Sequence, residues 1–427
     1  MQISIKHGRL IDPANGIDQV MELHIRDGKI AAIGKTPKAF KPDLSLDAKG
    51  KLVLPGLVDL SARLGEPGRE ETATIASETR AATRGGITSV ICPPDTAPII
   101  DSTAVVELIH QRAMTQGHGR VYCLGALTHA LKGESLARMH ALKQEGCIGL
   151  SNGLAPISNS AVLRRALDYA SSCDMTVHLF CEDQSLRDNG IVHEGIMSVR
   201  LGLPGIPGTA ESIAISRVLQ LIEETACRVH FCRVSSAQSL PMIAEAKSRG
   251  LPVTADVGIS HLYLTEVDVA DFDSNCYLIP PLRGHTDRDA LRQGLADGVI
   301  DAICSDHQPQ NKDAKLVPFS LSEPGASTLD ILLPLGLQLA SEGIAQLPAI
   351  VRSLTANPAA IAGLETGNLG VDQVADLSIV DPDASWTVTV DSISSSGKNC
   401  PFLGWELHGR VTHTLVAGQL VHGQANT

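Results

Sequence analysis

The feature that most constrains this chain is a repeated pairing of short apolar runs with longer amphipathic stretches between Leu52 and Cys304. The apolar runs are Leu52–Leu60, Ile87–Cys92, Val121–Leu127, Cys147–Ser151, Thr176–Phe180, Arg228–Cys232, Pro252–Val257 and Ile300–Cys304. Runs of this length read as buried strands. Between them, Thr74–Arg84, Ser102–Ala113, Ser160–Ser171, Ala210–Thr225, Leu240–Lys247 and Asp287–Leu295 have helical periodicity. Strand and helix alternating roughly eight times over about 300 residues predict a (β/α)8 TIM barrel spanning residues 52–364. A doubly wound open sheet is the competing arrangement, but no Gly-x-Gly-x-x-Gly follows the first strand.

The flanks have a different texture. Residues 1–51 alternate apolar and polar, as in Ile3-Ser-Ile5, and Asp27-Gly28 between alternating runs signals a hairpin. Residues 365–427 return to that alternation at Ala375–Val380, Trp386–Val390 and Val411–Val421. One small β-sandwich module built from both ends of the chain is therefore expected beside the barrel.

Composition narrows the function classes. A net charge of −12 with no basic cluster argues against nucleic-acid binding. No apolar run approaches the roughly 18 residues a membrane span needs, and Met-Gln-Ile-Ser-Ile-Lys does not read as a signal peptide. The 10 cysteines are scattered, with no Cys-x-x-Cys, as in a reducing compartment, and the cytoplasm is the expected location.

In such a barrel the chemistry sits where strands end and loops begin. Those positions carry Asp59, Ser61 and Arg63 after the first strand, Asp95 after the second, and Ser151 and Asn152 after the fourth. Phe180, Glu182 and Asp183 follow the fifth, Arg233, Ser235 and Ser236 the sixth, His261 the seventh, and Asp306 with His307 the eighth. A catalytic zinc site needs about three ligands from thiolate, neutral imidazole or carboxylate. Only Asp306 is well placed, and the guanidinium groups of Arg63 and Arg233 cannot ligate a metal. His178, His230 and His261 are either a relocated metal cluster or satisfied structural histidines, the second being the simpler account.

The chain resembles the dihydroorotase group of the amidohydrolase superfamily over nearly its whole length. Pro55-Gly-Leu-Val-Asp59, Gly85-Gly-Ile-Thr88, Pro280-Pro-Leu-Arg283, Asp306-His307, Asn357-Pro-Ala, Ala375-Asp-Leu and Asn399-Cys-Pro-Phe-Leu-Gly carry the resemblance. It implies metal ligands at positions that are here Ser61, Arg63, Asn152, Phe180 and Arg233. It implies substrate contacts at positions that are here Gly65, Asp95 and Gln310. Of the metal set only a remnant, Asp306, persists, so neither zinc nor another cofactor is expected there. An ion pair of Asp306 with Arg63 or Arg233 is expected in its place. Asn311–Pro318, matching the family's mobile loop, is expected to be merely exposed.

Changes confined to the ligand positions of an intact scaffold resemble the non-catalytic dihydroorotase-like subunit of bacterial aspartate carbamoyltransferase. That resemblance implies a structural or assembly role in pyrimidine biosynthesis. It also implies a carbamoyltransferase catalytic chain as partner and a homodimer within a larger hetero-oligomer. The alternative is a dihydroorotase-type metal-dependent cyclic amidohydrolase with an atypical metal site.

Overall fold

The structure is a computed structural model describing residues 1–38 and 40–424. Eight strands form one parallel sheet in sequence order: Leu57–Asp59, Ile87–Cys92, Arg120–Ala126, Gly149–Ser151, Thr176–Phe180, Val229–Cys232, Val253–Gly258 and Ala302–Cys304. These strands are almost wholly buried, as expected when helices cover the outside and side chains fill the inside. The seam between first and last strand closes beyond their ends, where Ala62 pairs with His307 in a parallel bridge. There the His307 N–H donates to the Ser61 carbonyl (3.1 Å) and the Arg63 N–H to the His307 carbonyl (2.9 Å).

The predicted helices form with small changes at their ends. The first, Ile75–Arg84, starts at Thr74, whose side chain accepts from the Ser77 N–H while Ser77 reaches back to the Thr74 N–H. This reciprocal cap satisfies two otherwise orphaned donors. Among the described residues, the short turn Lys312–Lys315 and the helices Leu332–Ser341, Leu347–Leu354 and Ala356–Ala362 follow the eighth strand, where the count of strand–helix pairs anticipates one. Among the described residues no helix is long and apolar enough to cross a membrane.

The apolar run Leu52–Leu60 is not one strand. Leu52–Pro55 belongs to the terminal sheet and Leu57–Asp59 to the barrel, with the change made at Gly56. A Cβ at Gly56 would lie 2.1 Å from the Thr88 hydroxyl oxygen, so only glycine lets the chain pass between the two sheets. An apolar run cannot reveal this division, because both halves are buried.

The terminal sheet joins Gln419–His422, Glu406–Val416, Leu377–Thr387, Leu52–Pro55, Gln2–Asp12, Ile17–Arg26 and Lys29–Ile33 in that order, with Leu44–Asp47 sharing the edge of Gln2–Asp12 that Leu52–Pro55 uses. Both flanks thus make one β module. Its hairpin turns at Asp27 and Gly28, whose φ values of 51° and 79° match the positive pair a two-residue turn requires. The separate strand expected at Trp386–Val390 is absent; Trp386 and Thr387 instead end the long strand Leu377–Thr387.

Candidate functional site

The substituted positions converge on the C-terminal mouth of the barrel. Arg233 donates from Nη1 to the Ser61 hydroxyl (2.8 Å), and that hydroxyl lies 3.4 Å from Asp306 Oδ1 as a donor. Arg233 Nη1 is itself 3.4 Å and Arg63 Nη1 3.8 Å from the same carboxylate oxygen. The hydrogen bonds of Arg63 go elsewhere, from Nε (3.1 Å) and Nη2 (2.7 Å) to Asp95 Oδ2. The expected ion pair therefore takes a corrected form. Asp306 has both guanidinium groups as ionic neighbours, but its hydrogen bond comes from Ser61, and Asp95 takes the donors of Arg63. Two arginines and two aspartates leave the cluster without net charge, as burial demands.

Arg233 packs its guanidinium over the Phe180 ring, 5.4 Å from the centroid. Burial opposes its charge, but Asp306 and the other acidic neighbours outweigh that, so it stays protonated. Arg233 and Asp306 both hold left-handed backbone, at φ values of 54° and 48°. Non-glycine residues rarely adopt this conformation, and it persists only where the surroundings impose it. At Arg233 the constraint is visible, because its N–H donates to the buried Asp256 carboxylate.

The other substituted positions are occupied by structure. Asn152 accepts from the Thr128 hydroxyl (2.6 Å) and donates to the carbonyls of Leu131 (3.1 Å) and Ala155 (2.9 Å). The Gln310 amide donates to the Pro324 carbonyl (2.9 Å), and its N–H to Asn399 (2.9 Å). Gly65 has a φ of +73°, and a Cβ there would meet the Ala73 carbonyl oxygen at 2.4 Å. No side chain fits that position without moving the loop. Asn311–Pro318 is not simply exposed, for Lys312–Lys315 forms a helical turn and Lys315 donates to the Ser274 carbonyl (2.8 Å).

A cavity of about 410 Å³ opens beside this cluster, lined among others by Arg63, Gly65, Arg69, Asp95, Gln308 and Gln310. A larger one, about 840 Å³, lies at the opposite, N-terminal end of the barrel. Of its charged lining residues, Arg228 pairs with Asp174 and Asp301 with Lys247, both at 2.6 Å, and Lys143 donates to the Cys173 carbonyl (2.6 Å). We place the candidate site at the mouth, where strand ends converge. The residues there do not fit a catalytic metal. Asp306 is the one anionic donor among the expected ligand positions, and two protonated guanidinium groups share its space.

The histidines behave unequally. His307 points away from the mouth and donates from Nε2 to Glu78 (2.8 Å) on the first helix, both side chains fully buried. His261 is held through Nε2 by the Pro280 carbonyl (3.0 Å). His230 contacts Thr254 through Nδ1 (2.8 Å) and Asp256 through Nε2 (2.9 Å). Among the described residues His178 has no partner at either ring nitrogen. It stands against His230, centroids 5.2 Å apart, so the structure joins two of the three histidines and leaves His261 out. Sequence reasoning missed Asp256. A charged residue within the apolar run Val253-Thr-Ala-Asp-Val257 was the available signal, since a carboxylate in a barrel strand needs a buried partner.

Asp59 supplies a pH-dependent prediction. It is fully buried, accepting from the Ser305 N–H (2.9 Å) and hydroxyl, and burial lifts its carboxyl from 3.8 to about 6. Between those values the folded chain holds a proton that the unfolded chain has released. Stability therefore falls as pH rises through this window and stays lower above it. Asp59→Asn removes the ionisation, and Ser305 can redirect its hydroxyl to the Ser61 carbonyl, 3.3 Å away. Melting temperatures across pH 4–8 should move in favour of the variant as pH approaches about 6, then level off. A difference independent of pH would refute the assignment.

The fold and site define a class: a parallel eight-stranded barrel with its site at the strand ends, joined to a β module built from both termini. Solved structures agree on the fold: L-hydantoinase from Arthrobacter aurescens superposes with a TM-score of 0.89 at 24% identity, covering 100% of this chain and 97% of that one. Residues 50–239 match the dihydro-orotase-like family. A dihydroorotase-like protein of Pseudomonas putida is 47% identical, with 99% of this chain and 100% of that protein covered. A dihydroorotase of Geobacter sp. is 41% identical, with 99% of each covered. The chain belongs to the dihydroorotase-like family.

Proposed function

We propose that this chain is a non-catalytic dihydroorotase homologue that acts in the cytoplasm as a structural and assembly partner of the aspartate carbamoyltransferase catalytic chain in pyrimidine biosynthesis. The observation that carries the reading is the mouth cluster. Arg63 and Arg233 stand where hydrolysis would need metal ligands, and their charges are balanced by Asp95 and Asp306. A metal site abandoned without compensation would leave Asp306 an unpaired, largely buried carboxylate, at a cost of order 3–5 kcal/mol. The arginines neutralise it and make the mouth stable without an ion. The intact barrel and module keep a surface on which a partner can assemble, with this chain as a homodimer inside a larger hetero-oligomer.

The test is to produce this chain and the carbamoyltransferase chain of the same organism together and apart. A stable complex, with the transferase losing assembly or stability when this chain is withheld, is the expected result. A transferase equally assembled, stable and active alone would contradict it. A second reading, a cyclic amidohydrolase with an atypical metal site, draws support from the relative at 41% identity named dihydroorotase. Stoichiometric metal at the mouth together with turnover of dihydroorotate would favour that reading.

A further inference from the structure

Below the mouth, the fifth and sixth barrel strands bring together three side chains that neither the cluster nor the proposed assembly role uses. His178 pairs with His230 across the strands, and Phe180 with Cys232. His230 and Cys232, two residues apart, face the same side of their strand. One nitrogen from each histidine and the Cys232 sulfur lie within 4.8 Å of one another. We propose that His178, His230 and Cys232 bind a single zinc ion in the barrel interior, separate from the arginine-filled mouth.

The unpartnered imidazole is the independent indication. His178 is only 1% exposed, yet among the described residues neither of its ring nitrogens has a hydrogen-bond partner. A buried polar group left this way costs about 1–3 kcal/mol and calls for an ion or a water to satisfy it. Burial and the neighbouring His230 push its basicity down to about 3, so the ring is neutral, the form that ligates metal.

The donor chemistry fits zinc. Two imidazole nitrogens and a thiolate form a borderline-soft set, and zinc accepts such ligands in tetrahedral geometry with a fourth position left for water. His230 Nε2 meets Asp256 at 2.9 Å, the carboxylate–histidine contact that orients metal-bound imidazoles. Its Nδ1 becomes available when the Thr254 hydroxyl turns away. Thr254, the partner of that nitrogen, also lines the 840 Å³ cavity at the N-terminal end of the barrel. On binding, the Cys232 S–H bond breaks, an S–Zn bond forms and the proton leaves to solvent. Together Cys232 and Asp256 balance the two positive charges of zinc, while Arg233 remains balanced by Asp306. The ion ties two adjacent strands together. It cannot serve hydrolysis at the mouth, because Phe180 and Arg233 occupy the next positions toward it.

Cobalt(II) is the probe. The full-length chain, stripped with a chelator and titrated with cobalt, should take up one ion per chain. That ion should show a thiolate-to-cobalt charge-transfer band in the near ultraviolet, abolished by added zinc. Cys232→Ser should lose the band, His178→Gln should weaken uptake at least tenfold, and Cys400→Ser, altering a buried thiol elsewhere, should change neither. Should Cys232→Ser not fold, anomalous diffraction at the zinc edge on wild-type crystals decides, with a peak between His178 and Cys232 expected. No retained cobalt, a spectrum without the thiolate band, an unchanged band in Cys232→Ser, or an edge signal absent from this position would overturn the proposal. None of these readouts depends on the carbamoyltransferase, so failure here is distinct from failure of the assembly role.

Discussion

Replacing Glu211 with alanine is expected to remove about 3–5 kcal/mol of stability and lower the melting temperature by roughly 3–6 °C. Glu211 sits in the first turn of the helix Thr209–Thr225 and is buried. Oε2 accepts from the Ser235 N–H (2.9 Å) and hydroxyl (2.5 Å), and Oε1 from the Ser236 N–H (3.0 Å) and Ser239 hydroxyl (2.6 Å). Those donors lie on the loop that leaves the sixth strand just past Arg233. Arg283, also buried, donates to the Ser235 hydroxyl (3.1 Å) and draws on the charge of Glu211. Alanine orphans four donors and takes away a counter-charge of Arg283. Glutamine is not a remedy, because its amide group must face either the Ser235 or the Ser236 N–H, donor against donor. Thermal unfolding of both variants, beside an exposed control such as Glu224→Ala, tests this. A loss no larger than the control's would show that the loop does not depend on Glu211.

The second large effect is expected at Glu78, where alanine should cost a similar 3–5 kcal/mol. Oε2 accepts from His307 Nε2 (2.8 Å), and Oε1 from the Ser77 hydroxyl (2.7 Å) and the Ser396 N–H (3.1 Å). Burial raises the carboxyl, but the hydrogen bond from His307, with the serine donors, brings it below its ordinary range. On the other side of the ring, His307 Nδ1 accepts from the Thr328 N–H (3.2 Å), which fixes the proton on Nε2. Glu78→Gln cannot satisfy every donor: with its oxygen toward His307 Nε2 its amide faces the Ser396 N–H, and with its amide toward the ring either His307 Nε2 or the Thr328 N–H loses its partner. Because the backbone of His307 closes the barrel against Ser61 and Arg63, amide exchange at that seam should quicken in both variants. Unchanged protection there would contradict the coupling.

The barrel was legible because each of its strands is a short apolar run beside an amphipathic stretch, a pattern set by burial on both faces. The boundary at Gly56 was not, since Leu52–Pro55 and Leu57–Asp59 are equally buried and differ only in which sheet receives them. The residues of the mouth were legible from strand ends and family resemblance. Their pairing was not, because Arg63 could reach either Asp95 or Asp306, and only the fold sets the distances at 2.7 and 3.8 Å. Glu78, Glu211 and Asp256 escaped notice for a common reason. A carboxylate in a helix or strand reads as solvated until its buried donors, far away in sequence, come into view.

The most direct measurement is turnover of dihydroorotate, in both directions, by the purified full-length chain saturated with zinc. With guanidinium groups at the mouth and Asp306 the single carboxylate at the former ligand positions, the rate should match the uncatalysed one and should not respond to Asp306→Asn. Turnover that requires zinc and disappears in Asp306→Asn would contradict the account.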